Sequence, residues 1–141
     1  MIVGPVLVDA GPLVALLHAS DHRHDACRQQ AAQLVGPLFT SWSVVTEAAW
    51  LLRGLPNSLE RLFSAIDDFE IELAHVPQEA LPWLKAVASQ YGDLRPQAAD
   101  LTLLYLAEQL HIDHVFTLDR RDFTVYRNVK GRPFQLLPAE S

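Results

Sequence analysis

A lone cysteine, Cys27, excludes an internal disulfide and the small scaffolds that several bridges staple together. The chain is expected in a reducing compartment, the cytoplasm. No apolar run approaches the roughly 20 residues needed to span a bilayer. The start, Met1 to Pro5, lacks a basic region, and the apolar stretch to Leu17 is broken by Asp9, Gly11 and Pro12, which argues against a signal peptide. Positive charge is scarce: 11 Lys and Arg face 17 Asp and Glu, a formal net charge of −6. That disfavours broad, non-specific nucleic-acid binding, which needs net basic surface. No glycine-rich phosphate loop is present. His18 and His22 stand four apart, but Ser20 and Asp21 break a helix between them, so they read as surface residues rather than a zinc pair. Cys27 has no paired base in view and does not read as a nucleophile.

Apolar residues are not scarce. They make up 50% of the 141 residues, enough for a sizeable core in a single domain, residues 1–141. Val6-Leu7-Val8 is a short Val-rich run bounded by Pro5 and Gly11-Pro12, and it reads as a buried strand. Leu38 to Thr40, Ile71 to Val76 and His114 to Thr117 read the same way, with Phe134 to Leu137 as an edge strand. Helices are expected from Pro12 to Leu17, from His22 to Leu34 with Asp21 as N-cap, and from Val44 to Arg53 with Ser43 as N-cap. Leu59, Leu62, Phe63 and Ile66 recur at helical spacing, so Ser58 to Phe69 forms an amphipathic helix. Two more follow, Glu79 to Tyr91 and Pro96 to Leu110. Trp42, Trp50 and Trp83 read as core. Strands alternating with helices imply a three-layer α/β/α sandwich around a mostly parallel sheet of four to five strands.

Four carboxylates interrupt this apolar pattern. Asp9 ends Val6-Leu7-Val8, and Asp119 follows Val115 to Leu118. Glu47 is the only charge between Ser43 and Leu52, and Asp100 is the only charge between Ala98 and Ala107. Acids are almost never buried without compensation. Each has a local explanation except Glu47: Asp9 could cap a helix, Asp100 could sit against a helix dipole, Asp119 could serve a turn. Glu47 caps nothing, and its i+3 and i+4 neighbours, Trp50 and Leu51, suggest a buried face. In open α/β sheets ligands bind beyond the carboxyl ends of the strands, where all four acids can converge. Clustered carboxylates repel one another unless a cation compensates them. An all-carboxylate set without Cys or His selects Mg²⁺ or Mn²⁺ over Zn²⁺. Such sites carry out attack of a metal-bound water on a phosphodiester. Arg120, Arg121, Arg127 and Lys130, close after Asp119, are the candidate RNA-binding strip, or else a solvated face.

The ordered motifs resemble those of the PIN-domain family: Val-Leu-Val-Asp9-Ala-Gly-Pro-Leu, Thr46-Glu47, Ala99-Asp100-Leu, and Val-Phe-Thr117-Leu-Asp119-Arg-Arg-Asp122-Phe123. The likeness runs from about Val6 to Leu137 and is most like the VapC-type toxins of type II toxin–antitoxin pairs. It implies a Mg²⁺-dependent ribonuclease in which Asp9 and Asp100 are the main metal-binding acids, Glu47 and Asp119 the second and fourth. Thr117 matches a hydroxyl that orients the acids, and Asp122 and Asp21 match acids of variable role behind them. The family often carries Ser or Thr two places after the first Asp; here that residue is Gly11. The resemblance further implies a homodimer and a cognate antitoxin covering the cleft, with the Leu59/Leu62/Phe63/Ile66 helix and its neighbour as interface candidates or plain core. An aspartyl-phosphate phosphatase would want a second Asp where Gly11 stands. A non-catalytic RNA- or protein-binding module and a housekeeping RNA-processing nuclease are the remaining alternatives.

Overall fold

The computed structural model describes residues 1–139. Five strands form one parallel sheet: β1 (Val6–Val8), β2 (Leu38–Thr40), β3 (Ile71–Leu73), β4 (His114–Phe116) and β5 (Gln135–Leu137). Their spatial order is β3-β2-β1-β4-β5. Val6, Leu7 and Val8 of β1 pair with His114, Val115 and Phe116 of β4, while Val6 and Leu7 pair with Leu38 and Phe39 of β2. The helices are α1 (Ala10–Leu17), α2 (His24–Ala31), α3 (Trp42–Leu51), α4 (Ser58–Asp68), α5 (Leu81–Gln90), α6 (Ala98–Leu110) and α7 (Arg120–Phe123).

The continuous apolar runs that marked the strands are covered on both faces. Leu7 and Val115 join the larger core with Val44, Leu62, Leu103 and Leu106 from α3, α4 and α6. Val6 and Phe116 join a smaller one with Ala15, Cys27 and Leu137. Full burial of each such side chain contributes about 1.5–3 kcal/mol, so the sheet is held by its two coats rather than by strand length. Gly36 crosses directly against Gly4, where a Cβ would collide with the Gly4 carbonyl.

Several local expectations are corrected. The N-cap of α3 is Ser41, not Ser43: the Ser41 hydroxyl accepts from the Val44 N–H at 3.2 Å, and a cap residue reaches the third helical amide. Asp21 does not cap α2. Its carboxylate accepts from the Arg23 N–H at 2.8 Å in a local turn, and the helix starts at His24 and ends at Ala31, not Leu34. Trp42 and Trp50 are not core; they are 60% and 63% exposed, while Trp83 is half-buried against Tyr105. The helix α7 was not anticipated, because a single turn is too short to show a period. On α4, Leu62 and Ile66 are core, whereas Leu59 and Phe63 face outward.

The sheet order puts β1 at a switch point. The chain runs outward from β1 through β2 to β3, then returns to lay β4 on the other side of β1. At such a point the loops leaving neighbouring strands diverge and open a crevice. β1 and β4 are followed by Asp9 and by Thr117 to Asp119.

Candidate active site

Asp9 leaves β1 with its N–H donated to the Phe116 carbonyl at 2.9 Å, which fixes it beside the end of β4. It is 5% exposed. One carboxylate oxygen accepts from the Ala10 N–H at 2.8 Å and so caps α1. The other accepts from the Thr117 hydroxyl, also at 2.8 Å. The fully buried Thr117 Oγ1 accepts in turn from the Asp119 N–H at 3.0 Å. One hydroxyl thus ties the acid after β1 to the backbone of the acid after β4. Asp119 caps α7 through the Asp122 N–H at 3.3 Å, which brings Asp122 alongside. The capping role and the cleft role therefore coexist in Asp9 and Asp119.

Asp100 lies in the first turn of α6 and is 5% exposed. Its Oδ2 accepts from the Tyr126 hydroxyl at 3.0 Å. Tyr126 is fully buried and packs edge-on against Phe123 and Tyr91, with ring centroids at 5.1 and 4.9 Å. Glu47 comes from α3 and is half-buried. Its helix face is a cleft wall rather than core, since Trp50 and Leu51 are 63% and 54% exposed. The core face of α3 is instead Val44, Val45 and Ala48, with Leu52 just beyond.

All four sequence-derived acids, together with Asp122, line one cleft of about 230 Å³, completed by Ala10, Gly11, Leu51, Arg95 and Gln97. Oxygens of Asp100, Asp119 and Asp122 come within 4.8 Å of one another. A Cβ on Gly11 would stand 3.2 Å from Leu118, so Leu118 presses on the space where the family often has a hydroxyl. Burial pushes Asp100 up to about 7, with Asp9, Asp119 and Glu47 adding repulsion against the Tyr126 hydrogen bond. Burial likewise raises Asp9, against its two hydrogen bonds, and raises Glu47, with Asp9 and Asp119 adding to it. Asp122 is raised by burial and then by Asp119. An all-oxygen set whose members disfavour one another's ionised forms fits a hard divalent cation such as Mg²⁺ or Mn²⁺, and offers nothing softer.

The basic strip behaves differently. Arg120 and Arg121 open α7 next to Asp119. Arg127 is folded onto its own backbone, with Nη1 donating to the carbonyls of Thr124, Val125 and Tyr126 at 2.7, 2.9 and 3.0 Å. It borders a separate groove of about 300 Å³ with Trp83, Tyr91 and Glu108. Lys130 sits in an exposed turn held by the Asn128 side chain. Neither Arg127 nor Lys130 lines the acidic cleft, and Asp21 lies outside it too. Tyr126 and Arg95 were missed. Nothing in the sequence marks Tyr126, whose partner is 26 positions away. Arg95, a cation five places before an embedded acid, carried a weak signal.

Fold and site together define a parallel α/β domain with a cleft of five carboxylates at its switch point. The PIN domain pattern matches residues 6–129, and the chain belongs to the PIN-domain family. Within that family it is similar to proteins of the VapC type. Ribonuclease VapC26 of Mycobacterium tuberculosis is 26% identical over 136 residues, spanning 94% of this chain and 100% of its own length. The crystal structure of Mycobacterium tuberculosis VapC20, described as a sarcin–ricin loop cleaving toxin, superposes with a TM-score of 0.71 at 18% identity, covering 82% of this chain and 91% of its own. Among the described residues no helix is long and apolar enough to cross a membrane.

Proposed function

We propose that this chain is a divalent-cation-dependent endoribonuclease acting as the toxin of a type II toxin–antitoxin pair. The observation that carries the reading is the convergence of Asp9, Glu47, Asp100, Asp119 and Asp122, from four distant stretches of chain, on one small cleft. Five unused acids at one point would only cost stability. The names of its relatives, a ribonuclease and a sarcin–ricin loop cleaving toxin, support the same reading.

The residues divide the work as follows. Asp100, Asp119 and Asp122 supply the close-set oxygens that would hold Mg²⁺ or Mn²⁺, with Asp9 and Glu47 completing the negative wall. When bound, the cation supplies Lewis acidity: it lowers the pKa of water and offsets charge on the phosphodiester. Thr117 fixes the orientation of Asp9 and the backbone of Asp119, and Tyr126 fixes Asp100. Glu47 approaches from α3 and, unlike Asp9 and Asp100, its carboxylate is held by no hydrogen bond among the described residues; it is suited to orienting the attacking water or taking its proton.

The partner surface follows from α3 and α4. Trp42, Leu59 and Phe63 are exposed, and Trp42 and Phe63 flank a hollow of about 640 Å³ rimmed by Asp67 and Glu70. Exposed aromatics ringed by acids suit an antitoxin helix with apolar anchors and basic flanks. A homodimer and a cytoplasmic location complete the proposal. The test is cleavage of a mixed RNA pool by wild type and Asp100→Asn, freed of copurified antitoxin, with Mg²⁺, Mn²⁺ or EDTA. Cation-dependent cleavage that vanishes in the variant is the expected result; equal cleavage by both proteins refutes the assignment.

A further inference from the structure

An acidic cleft in a chain of net charge −6 has to receive a polyanion, yet the C-terminal cations do not line it. Arg95 does. It is the only cation among the described residues that line the cleft. It arrives from a different segment, the turn Gly92–Leu94 that precedes α6. Its own N–H closes that turn on the Gly92 carbonyl at 3.1 Å. Its backbone is left-handed, φ 51° and ψ 59°, a conformation that a side chain with a Cβ rarely adopts. Pro96 follows and sterically disfavours the right-handed helical alternative. The arginine is therefore planted at the cleft by local backbone geometry, without any anchor on its head group.

That head group is unspent. No described carboxylate forms an ion pair with Arg95, although five line the same cleft, and the side chain is exposed. Nor does Arg95 serve as counter-ion to the acids. Asp9, Glu47 and Asp100 are raised by burial and further by neighbouring carboxylates, Asp119 in each case, and Arg95 is not among the groups that lower them. A guanidinium is the side chain best matched to a phosphate, which it grips through two parallel N–H donors.

We propose that Arg95 is the substrate-phosphate contact of this cleft, gripping a phosphate of the RNA strand next to the one held over the carboxylates. The inference rests on the nuclease reading. It gives the cleft a division of labour: the acids and their cation take the scissile group, and Arg95 fixes the register of the strand.

The experiment is steady-state cleavage of a fluorescein-labelled single-stranded RNA by wild type, Arg95→Ala, Arg95→Lys and Arg95→Gly at several salt concentrations, with Mn²⁺ affinity measured by calorimetry. Arg95→Ala is expected to raise KM about tenfold, the usual scale for losing a charge-assisted hydrogen bond. Its kcat stays within about threefold of wild type, as expected when uniform binding is removed. The salt dependence of log KM should flatten by about 0.7, one phosphate contact on a single strand. Arg95→Lys should restore that salt dependence with incomplete recovery of KM. Arg95→Gly, which relaxes the left-handed backbone, should match Arg95→Ala. Mn²⁺ affinity should equal or exceed that of wild type, because a nearby cation has been removed. An Arg95→Ala enzyme with wild-type KM and salt dependence overturns the inference while leaving the nuclease intact. A tenfold loss of Mn²⁺ affinity also overturns it, since Arg95 would then be supporting the acids. Absence of any cleavage by wild type removes the nuclease reading itself, and Arg95's role with it.

Discussion

Replacing Asp100 by Asn should stabilise the cation-free protein, and the gain should depend on pH in one direction. In the fold the Asp100 carboxyl is pushed from 3.8 up to about 7, first by burial and then by Asp9, Asp119 and Glu47. Between those values the folded chain holds a proton that the unfolded chain has released. Folding stability must therefore fall as pH rises from about 4 to about 7. A displacement of about three pKa units corresponds to about 4 kcal/mol at 1.4 kcal/mol per unit. The cleft opens to water, which screens roughly half of this and leaves about 2 kcal/mol. Asn cannot ionise, and its side-chain oxygen still accepts from the Tyr126 hydroxyl, so the variant escapes the loss without orphaning that donor. Urea unfolding in EDTA should give nearly equal stabilities near pH 4. Asp100→Asn should be about 2 kcal/mol more stable at pH 8. Saturating Mn²⁺ should reverse the order, because ligand at a hundred times its Kd adds about 2.7 kcal/mol to the protein that binds it. A stability difference that does not change with pH would refute the argument. So would a wild type that gains on the variant as pH rises in EDTA.

Thr117→Val should cost about 1–3 kcal/mol, because Asp9 and the Asp119 N–H both lose a buried partner; chemical denaturation reads this directly. Tyr126→Phe keeps both edge-on ring contacts and removes only the hydroxyl on Asp100, so Mn²⁺ affinity by calorimetry should fall about tenfold with little change in fold. Leu62→Ala empties a fully buried position and should lower stability by about 2–5 kcal/mol. Phe63→Ala, 47% exposed on the same helix, should lower it by under about 1 kcal/mol while weakening antitoxin capture and sparing RNA cleavage.

What the sequence disclosed was whatever burial forces into a local pattern. Strands coated on both faces must be continuous apolar runs, so β1, β2 and β4 were visible as Val6-Leu7-Val8, Leu38-Phe39-Thr40 and His114 onward. Acids embedded in such runs stand out for the same reason, and all four reach the cleft. Choices that depend on tertiary partners stayed hidden. Ser41 and Ser43 are equally good caps by composition; Ser41 occupies the position, and its hydroxyl also sits 2.8 Å from the Thr102 hydroxyl on α6. Trp50 has the hydrophobicity of a core residue, but its ring lies outside under the Arg53 guanidinium at 3.7 Å. Tyr126 and Arg95 enter the site only because the fold brings distant segments together. Arg127, cationic in sequence, is occupied by three backbone carbonyls.

The bond between Thr117 and Asp9 spans 108 positions of sequence. It joins the first strand to the fourth, and Asp119 hangs from the same hydroxyl. A growing chain that has not yet delivered Thr117 and Asp119 owns Asp9, Glu47 and even Asp100, but no assembled cleft. Long-range closure of this kind comes late in folding, after the local helices. During synthesis the assembled acidic cleft is thus the last part of the molecule to exist. On the reading proposed above, cleavage would be withheld until Thr117 and Asp119 have emerged and the cleft has closed.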